Sequence, residues 1–262
     1  MSADIDLPSG CQTVYAFDFD GVICDSVGEN FGTTWRAMRV MEPELPEAPP
    51  EGLRERFIAC RPGLETGFQN IPLILLLMEG VSVETMLAQF DAQVAGLLEA
   101  RGWTEADMIK RFGDARVAWR DSAPEDWYGA QGFYEHTLAP VNAVASRSII
   151  ATTKQHSSAC KLVTRAGLDV PLPRVYGLER LGPQKKRNVL EALIERNPEG
   201  TVHFFEDRLA TLRKLTDLPR LELHLVDWGY NLPEERAQAA ASADMDLLDA
   251  DAFAAMLYGD AG

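Results

Sequence analysis

The order of its apolar runs constrains this chain more than any single motif does. The first run, Val14-Tyr15-Ala16-Phe17, is short, β-branched and aromatic, and predicts a buried strand. Strand signals then stop for more than a hundred residues. Helical patterns fill the interval, at residues 31–41, 53–60, 72–78, 84–100 and 105–120. The clearest runs from Val83 through Met86, Leu87, Phe90, Val94, Leu97 and Leu98 at helical spacing, with Gly102 as a stop. The Pro- and Glu-rich residues 43–50 form a loop between helices. Strands return at 148–152, 174–176, 201–205 and 221–226, separated by helical patterns at 157–166, 186–196 and 210–215. Such alternation predicts a parallel sheet with crossover helices. The fold class is therefore α/β. A Rossmann-like core of residues 1–24 and 141–262 is interrupted after its first strand by an all-helical unit, residues 25–140.

Composition narrows the partners. With 262 residues the chain can build one large core and a smaller lobe. A net charge of −15 argues against nucleic acid or an anionic membrane surface. Anionic metabolites stay possible if a site collects cations locally. Cys11, Cys24, Cys60 and Cys160 show no C-x-x-C spacing, so neither a zinc site nor a disulfide framework is indicated. The first ten residues are polar and acidic, unlike a signal peptide, and the apolar run 71–78 is too short to span a bilayer. These features lead us to expect a cytoplasmic protein, a monomer or weak homodimer, with no membrane or nucleic-acid partner.

Chemistry concentrates at the strand ends. The first strand leads into Phe17-Asp18-Phe19-Asp20-Gly21-Val22, and period-two alternation would put Asp18 and Asp20 on one face. Two like charges so close need a cation or a proton to offset them, which points to a divalent metal. An ordinary acidic turn would also use Asp and Gly. The second strand ends in Thr152-Thr153-Lys154, and the fourth in Glu206-Asp207. Between them, Gly182-Pro183-Gln184-Lys185-Lys186 opens a helix. A lysine there opposes the helix dipole, which calls for a nearby anion. The apolar face Leu190, Leu193 and Ile194 favours Lys186 over Lys185. Glu206-Asp207-Arg208 could alternatively be a helix-start acid pair with a surface salt bridge. In a parallel sheet all these strand ends share one edge, where such folds bind ligands.

Taken in order, these four segments resemble the motifs of the haloacid dehalogenase superfamily, in its phosphatase branch. The run Asp20-Gly21-Val22-Ile23-Cys24-Asp25-Ser26 is similar to its phosphoglycolate phosphatase and β-phosphoglucomutase subgroup. The resemblance implies a Mg²⁺-dependent phosphatase acting on a small phosphoester through an aspartyl phosphate, with the helical unit as a cap. It implies Asp18 as nucleophile and Asp20 as general acid and base. Thr152 would donate to the phosphoryl group, and Lys186 would neutralise it and orient Asp18. The family pattern favours Thr152 over Thr153. Asp18, the Asp20 carbonyl and Asp207 would hold Mg²⁺, with Glu206 ordering metal-bound water; Thr153 and Lys154 are further candidates for substrate contact. The core motifs equally suit a phosphosugar isomerase. A non-catalytic binding protein on the same scaffold is disfavoured because the costly paired acids are all present.

Other residues carry less. His136, His156, His203 and His224 lack ligand spacing, and the two within strands read as structural. Trp228-Gly229-Tyr230 reads as packing and loop chemistry. In the helical unit, Arg61-Pro62-Gly63-Leu64-Glu65-Thr66-Gly67 is the most polar and Gly-rich loop, and Arg61 could grip a substrate carboxylate through its planar fork. A local Arg61–Glu65 pair is the alternative.

Overall fold

The computed structural model describes residues 6–64, 66–182 and 186–259. Its strands in chain order are β1 (Thr13–Phe17), β2 (Cys24–Asp25), β3 (Gly132–Phe133), β4 (Ser148–Ala151), β5 (Val175–Tyr176), β6 (Thr201–Glu206), β7 (Leu221–Val226) and β8 (Asp246–Leu248). Six of them form one sheet in the order β5-β4-β1-β6-β7-β8, and every pairing is parallel. The order runs outward from β1 to β4 and β5, then returns to β6 on the other side of β1. β1 and β6 therefore flank the topological switch point, where the carboxyl ends of neighbouring strands open a crevice. The register places Phe17 opposite both Ile150 and Phe205, so the residues that follow β1, β4 and β6 emerge side by side.

Both sheet faces are covered, as an all-parallel sheet requires. Val14, Ala16, Ile149, Ala151, Val202, Phe204, Leu223 and Leu225 pack with Val189, Leu190 and Leu193 of the helix Lys186–Arg196 and with Leu209 and Leu212 of Leu209–Arg213. On the opposite face Phe17 and Phe205 stack with ring centroids 4.9 Å apart, and Phe253 of the helix Ala250–Gly259 meets both edge-on.

The chain divides into two compact units, Met1–Asp25 with Phe133–Gly262, and Ser26–Gly132. β2 and β3 pair where the chain leaves the first unit and returns to it. The boundary expected at residue 140 thus moves to 132. It had fallen inside the helix Glu135–Ala143, which packs on Ala250–Gly259 and so belongs with the sheet.

The second unit contains the helices Val27–Met41, Leu53–Ala59, Asn70–Met78, Val83–Arg101, Glu105–Ser122 and Pro124–Gly129. Its apolar run Ile71–Leu77 is buried, as a core helix should be. A polar network lies inside the same unit. Arg116 donates to both carboxylate oxygens of Glu29 at 2.8 Å and to Asn30 at 2.9 Å, while Thr33 and Trp127 also donate to Glu29. The helix Val27–Met41 begins four residues before the expected start at Phe31, because the polar Glu29 and Asn30 hid an inward-facing first turn. Among the described residues no helix is long and apolar enough to cross a membrane.

Candidate active site

β1 ends at Phe17, so Asp18 and Asp20 lie in the turn beyond it and strand alternation does not govern them. Hydrogen bonds tie this turn off: Asp18 N–H donates to Phe205 O, Gly21 N–H to Cys24 O, and Ile23 and Cys24 N–H both to Phe19 O. Gly21 adopts φ +90°, a left-handed conformation that costs a residue with a Cβ. Phe19 is buried as expected. The two aspartates have separate lysine partners, Lys186 for Asp18 and Lys154 for Asp20.

Asp18 is buried and receives Lys186 Nζ at 3.0 Å. The same ammonium donates to Glu206 Oε2 at 2.6 Å. Lys186 opens its helix with its side chain buried against the Phe204 ring, so it is not a solvated surface charge. Its rival Lys185, like Glu65 beside the Arg61 loop, lies outside the described residues. Glu206 ends β6 fully buried, and its other oxygen accepts the Arg208 N–H at 3.2 Å. Both Glu206 oxygens therefore serve protein donors. Asp207 is also buried, so the surface-pair alternative for Glu206-Asp207-Arg208 does not describe these acids.

A loop read as packing turns out to hold Asp207. Tyr230 N–H donates to Asp207 Oδ2 at 2.8 Å, and Asn231 Nδ2 donates to the Asp207 carbonyl at 3.0 Å. A Cβ at Gly21 would overlap the Asp207 carboxylate, and one at Gly229 would collide with its Cβ, so Asp207 is seated between two glycines. Tyr230 Oη donates to Asp25 at 2.7 Å, and the Trp228 indole donates to Val22 O at 3.0 Å. These residues follow β7, on the edge shared by the other motifs. Their place after a parallel strand was the signal available in the sequence.

The electrostatics follow from burial. Desolvation, helped by Asp207 and Asp20 and opposed by Lys186, raises the Asp18 carboxyl to about 6. Burial likewise lifts Glu206 well above the carboxylate range. Burial alone would lower the Lys186 pKa, but the charges and bonds of Asp18 and Glu206 outweigh it and the net shift is upward. Oxygens of Asp18, Glu206 and Asp207 lie within 4.8 Å of one another. Lys186 balances one of those charges. A hard divalent cation matches the all-oxygen donor set and would supply the remaining balance, so these residues fit Mg²⁺. Since both Glu206 oxygens are engaged, Asp18 and Asp207 are the residues best placed to hold the ion.

Beside this cluster, Thr152 follows β4 and is buried, whereas Thr153 is exposed. Thr152 Oγ1 accepts the Lys154 N–H at 3.1 Å, which leaves the hydroxyl proton as a donor. Lys154, expected as a candidate for substrate contact, is paired within the protein. It is buried, with Nζ 3.0 and 3.2 Å from the two Asp20 carboxylate oxygens. Arg61 belongs to the second unit, in the turn Arg61–Gly63, where its Nη1 donates to Leu64 O at 3.0 Å. The structure thus brings Asp18, Lys186, Glu206 and Asp207 together and pairs Asp20 with Lys154, while Arg61 belongs to the other unit.

No protein-family model matches the sequence, and no curated protein matches it significantly. Solved structures do match over nearly the whole length. A predicted phosphatase from Clostridium acetobutylicum aligns over 95% of this chain and 99% of its own, at 12% identity and TM-score 0.59. A haloacid dehalogenase-like family hydrolase from Streptococcus pneumoniae aligns over 92% and 95%, at 12% identity and TM-score 0.55. The chain has the haloacid dehalogenase fold. A predicted phosphoglycolate phosphatase from Haemophilus somnus shares that fold at 16% identity and TM-score 0.58, covering 95% of this chain and 98% of its own. The haloacid dehalogenase resemblance seen in the motifs is thus met by the architecture of both units.

Proposed function

We propose that this protein is a Mg²⁺-dependent phosphomonoesterase acting on a small phosphorylated metabolite. One observation carries the reading. At the switch point of the sheet, Asp18 lies buried beside Lys186 and within reach of Asp207, an arrangement that is costly for folding and suited to phosphoryl transfer. Mg²⁺ held by Asp18 and Asp207 would offset the repulsion between a carboxylate and a phosphate dianion.

In this reading an Asp18 carboxylate oxygen attacks phosphorus, the ester P–O bond breaks, and the leaving oxygen takes a proton from Asp20. Water then attacks the aspartyl phosphate and gives a proton back to Asp20. Inorganic phosphate leaves and Asp18 is restored. Lys186 holds Asp18 in line and balances charge on the transferring group, while Glu206 fixes Lys186. The Thr152 hydroxyl donates to a phosphoryl oxygen. These groups recognise only phosphate, so discrimination among esters falls to the helical unit Ser26–Gly132, acting as a cap, with Arg61 as the residue for a substrate carboxylate.

The test is phosphate release from a panel of small phosphoesters, with Mg²⁺ and with excess chelator. 2-Phosphoglycolate is included because proteins of this fold carry phosphoglycolate phosphatase names. Metal-dependent release that disappears in Asp18→Asn supports the proposal. Full activity in chelator overturns it.

A further inference from the structure

We propose that Lys154 is a positioning residue that holds Asp20 ready for proton transfer. The inference rests on the phosphomonoesterase reading and adds a part to it. Its basis is geometric. Asp20 sits on a turn and keeps about a fifth of its side chain exposed, while the Lys154 side chain is 1% exposed. A buried ammonium needs a compensating anion, and Asp20 supplies it through both carboxylate oxygens.

The Lys154 backbone is anchored on both sides, and so is Thr152. The Lys154 N–H donates to Thr152 Oγ1, the Lys154 carbonyl accepts the Leu178 N–H at 2.9 Å, and the Thr152 N–H donates to Tyr176 O at 2.9 Å. The lysine therefore transmits the rigidity of β4 and β5 to a carboxylate on a different loop, 134 residues earlier in the chain. Asp20 also lies near the negative charge of Asp18, which would push a loosely held carboxylate outward. Lys154 opposes that displacement. Thr152 links the two tasks, since the hydroxyl that would meet the phosphoryl group also braces the backbone of the residue that holds the acid.

If Lys154 works through Asp20, its removal should hurt only steps that need Asp20. In Lys154→Met, steady-state turnover of an alkyl phosphate such as 2-phosphoglycolate should fall roughly 10–100-fold, part of the 10²–10⁴ that a positioned acid–base group contributes. The first-turnover burst from 2,4-dinitrophenyl phosphate should change less than about twofold, because that leaving group needs no proton. Inorganic phosphate, used as a competitive inhibitor, should keep its inhibition constant within about twofold. The double variant Asp20→Asn/Lys154→Met should be no slower than Asp20→Asn alone. Lys154→Gln, which can still donate to a carboxylate, should recover part of the loss, and it carries the same tests if the Met variant does not fold. Losses that multiply in the double variant, or weaker phosphate inhibition in step with lost turnover, would overturn the proposal and make Lys154 a substrate contact. Wild-type protein that hydrolyses neither ester would overturn the phosphomonoesterase reading instead, and this inference with it.

Discussion

Replacing His224 with glutamine should flatten the acid limb of this protein's stability profile. His224 is 1% exposed on β7, stacked on Phe205 and His203, with Nε2 3.0 Å from His203 Nδ1. Burial first, and His203 second, lower its pKa from 6.5 to about 3. Asp246 pulls the other way from 3.3 Å, but it lacks hydrogen-bond alignment and its side chain is 64% exposed, so water screens it. The folded state therefore keeps His224 neutral at pH values where the unfolded chain protonates it. Above pH 6.5 the two states bind the same number of protons at this site and nothing is lost. Between pH 6.5 and about 3 the unfolded state binds more, so stability falls as pH falls. The slope approaches about 1.4 kcal/mol per pH unit, or about 2 kcal/mol between pH 7.5 and pH 5. Urea unfolding of wild type and His224→Gln at both pH values isolates this contribution, because the surface carboxylates contribute alike to both proteins. The wild type should lose about 2 kcal/mol more than the variant across that interval. Equal pH slopes for the two proteins would refute the argument.

Asp18→Asn should abolish phosphate release while keeping the fold, because it removes a buried charge whose pKa burial already raises; urea unfolding and a phosphate assay read the two effects separately. Gly21→Ala should weaken Mg²⁺ binding at least about tenfold by titration calorimetry, since its Cβ displaces the Asp207 carboxylate, and should cost about 1–2 kcal/mol through the left-handed backbone. Glu29→Ala should destabilise the helical unit by about 3–5 kcal/mol in urea unfolding, because Arg116 would stay buried without its carboxylate. Arg61→Ala should lower turnover of 2-phosphoglycolate by about one to two orders of magnitude and leave p-nitrophenyl phosphate unchanged; equal effects on both esters would make Arg61 structural.

The parts of the fold that could be read from sequence were those with unambiguous local chemistry. β1, β4, β6 and β7 are short, mostly apolar runs whose later residues are buried, and their expected starts and ends fall within a residue or so of the observed ones. β8 went unnoticed because three residues, Asp246-Leu247-Leu248, present no period to detect. The motif residues Asp18, Lys186, Glu206 and Asp207 could be brought to one edge by topology alone, since parallel strands end together. The pairing within that edge could not. Lys154 carries an ordinary charge in sequence, and only three-dimensional packing gives its ammonium to Asp20. The hold of Tyr230, Gly229 and Asn231 on Asp207 was hidden for a similar reason, since it acts through a backbone N–H, a missing Cβ and a bond to a carbonyl.

The long excursion between β1 and β4 also bears on how the sheet can close. Tyr15 pairs with Ser148, 133 residues away, and β1 is apolar on both faces. Until β4 and β6 exist, that strand is an unpaired sticky edge of the kind that promotes aggregation. The helical unit is built from nearer contacts, and the β2–β3 pair joins its two ends. Once it has folded, the chain separating β1 from β4 is in effect only about 25 residues, which lowers the closure cost by about 1.5 kcal/mol. An insertion that closes on itself thereby shortens the loop across which β1 must find its neighbours.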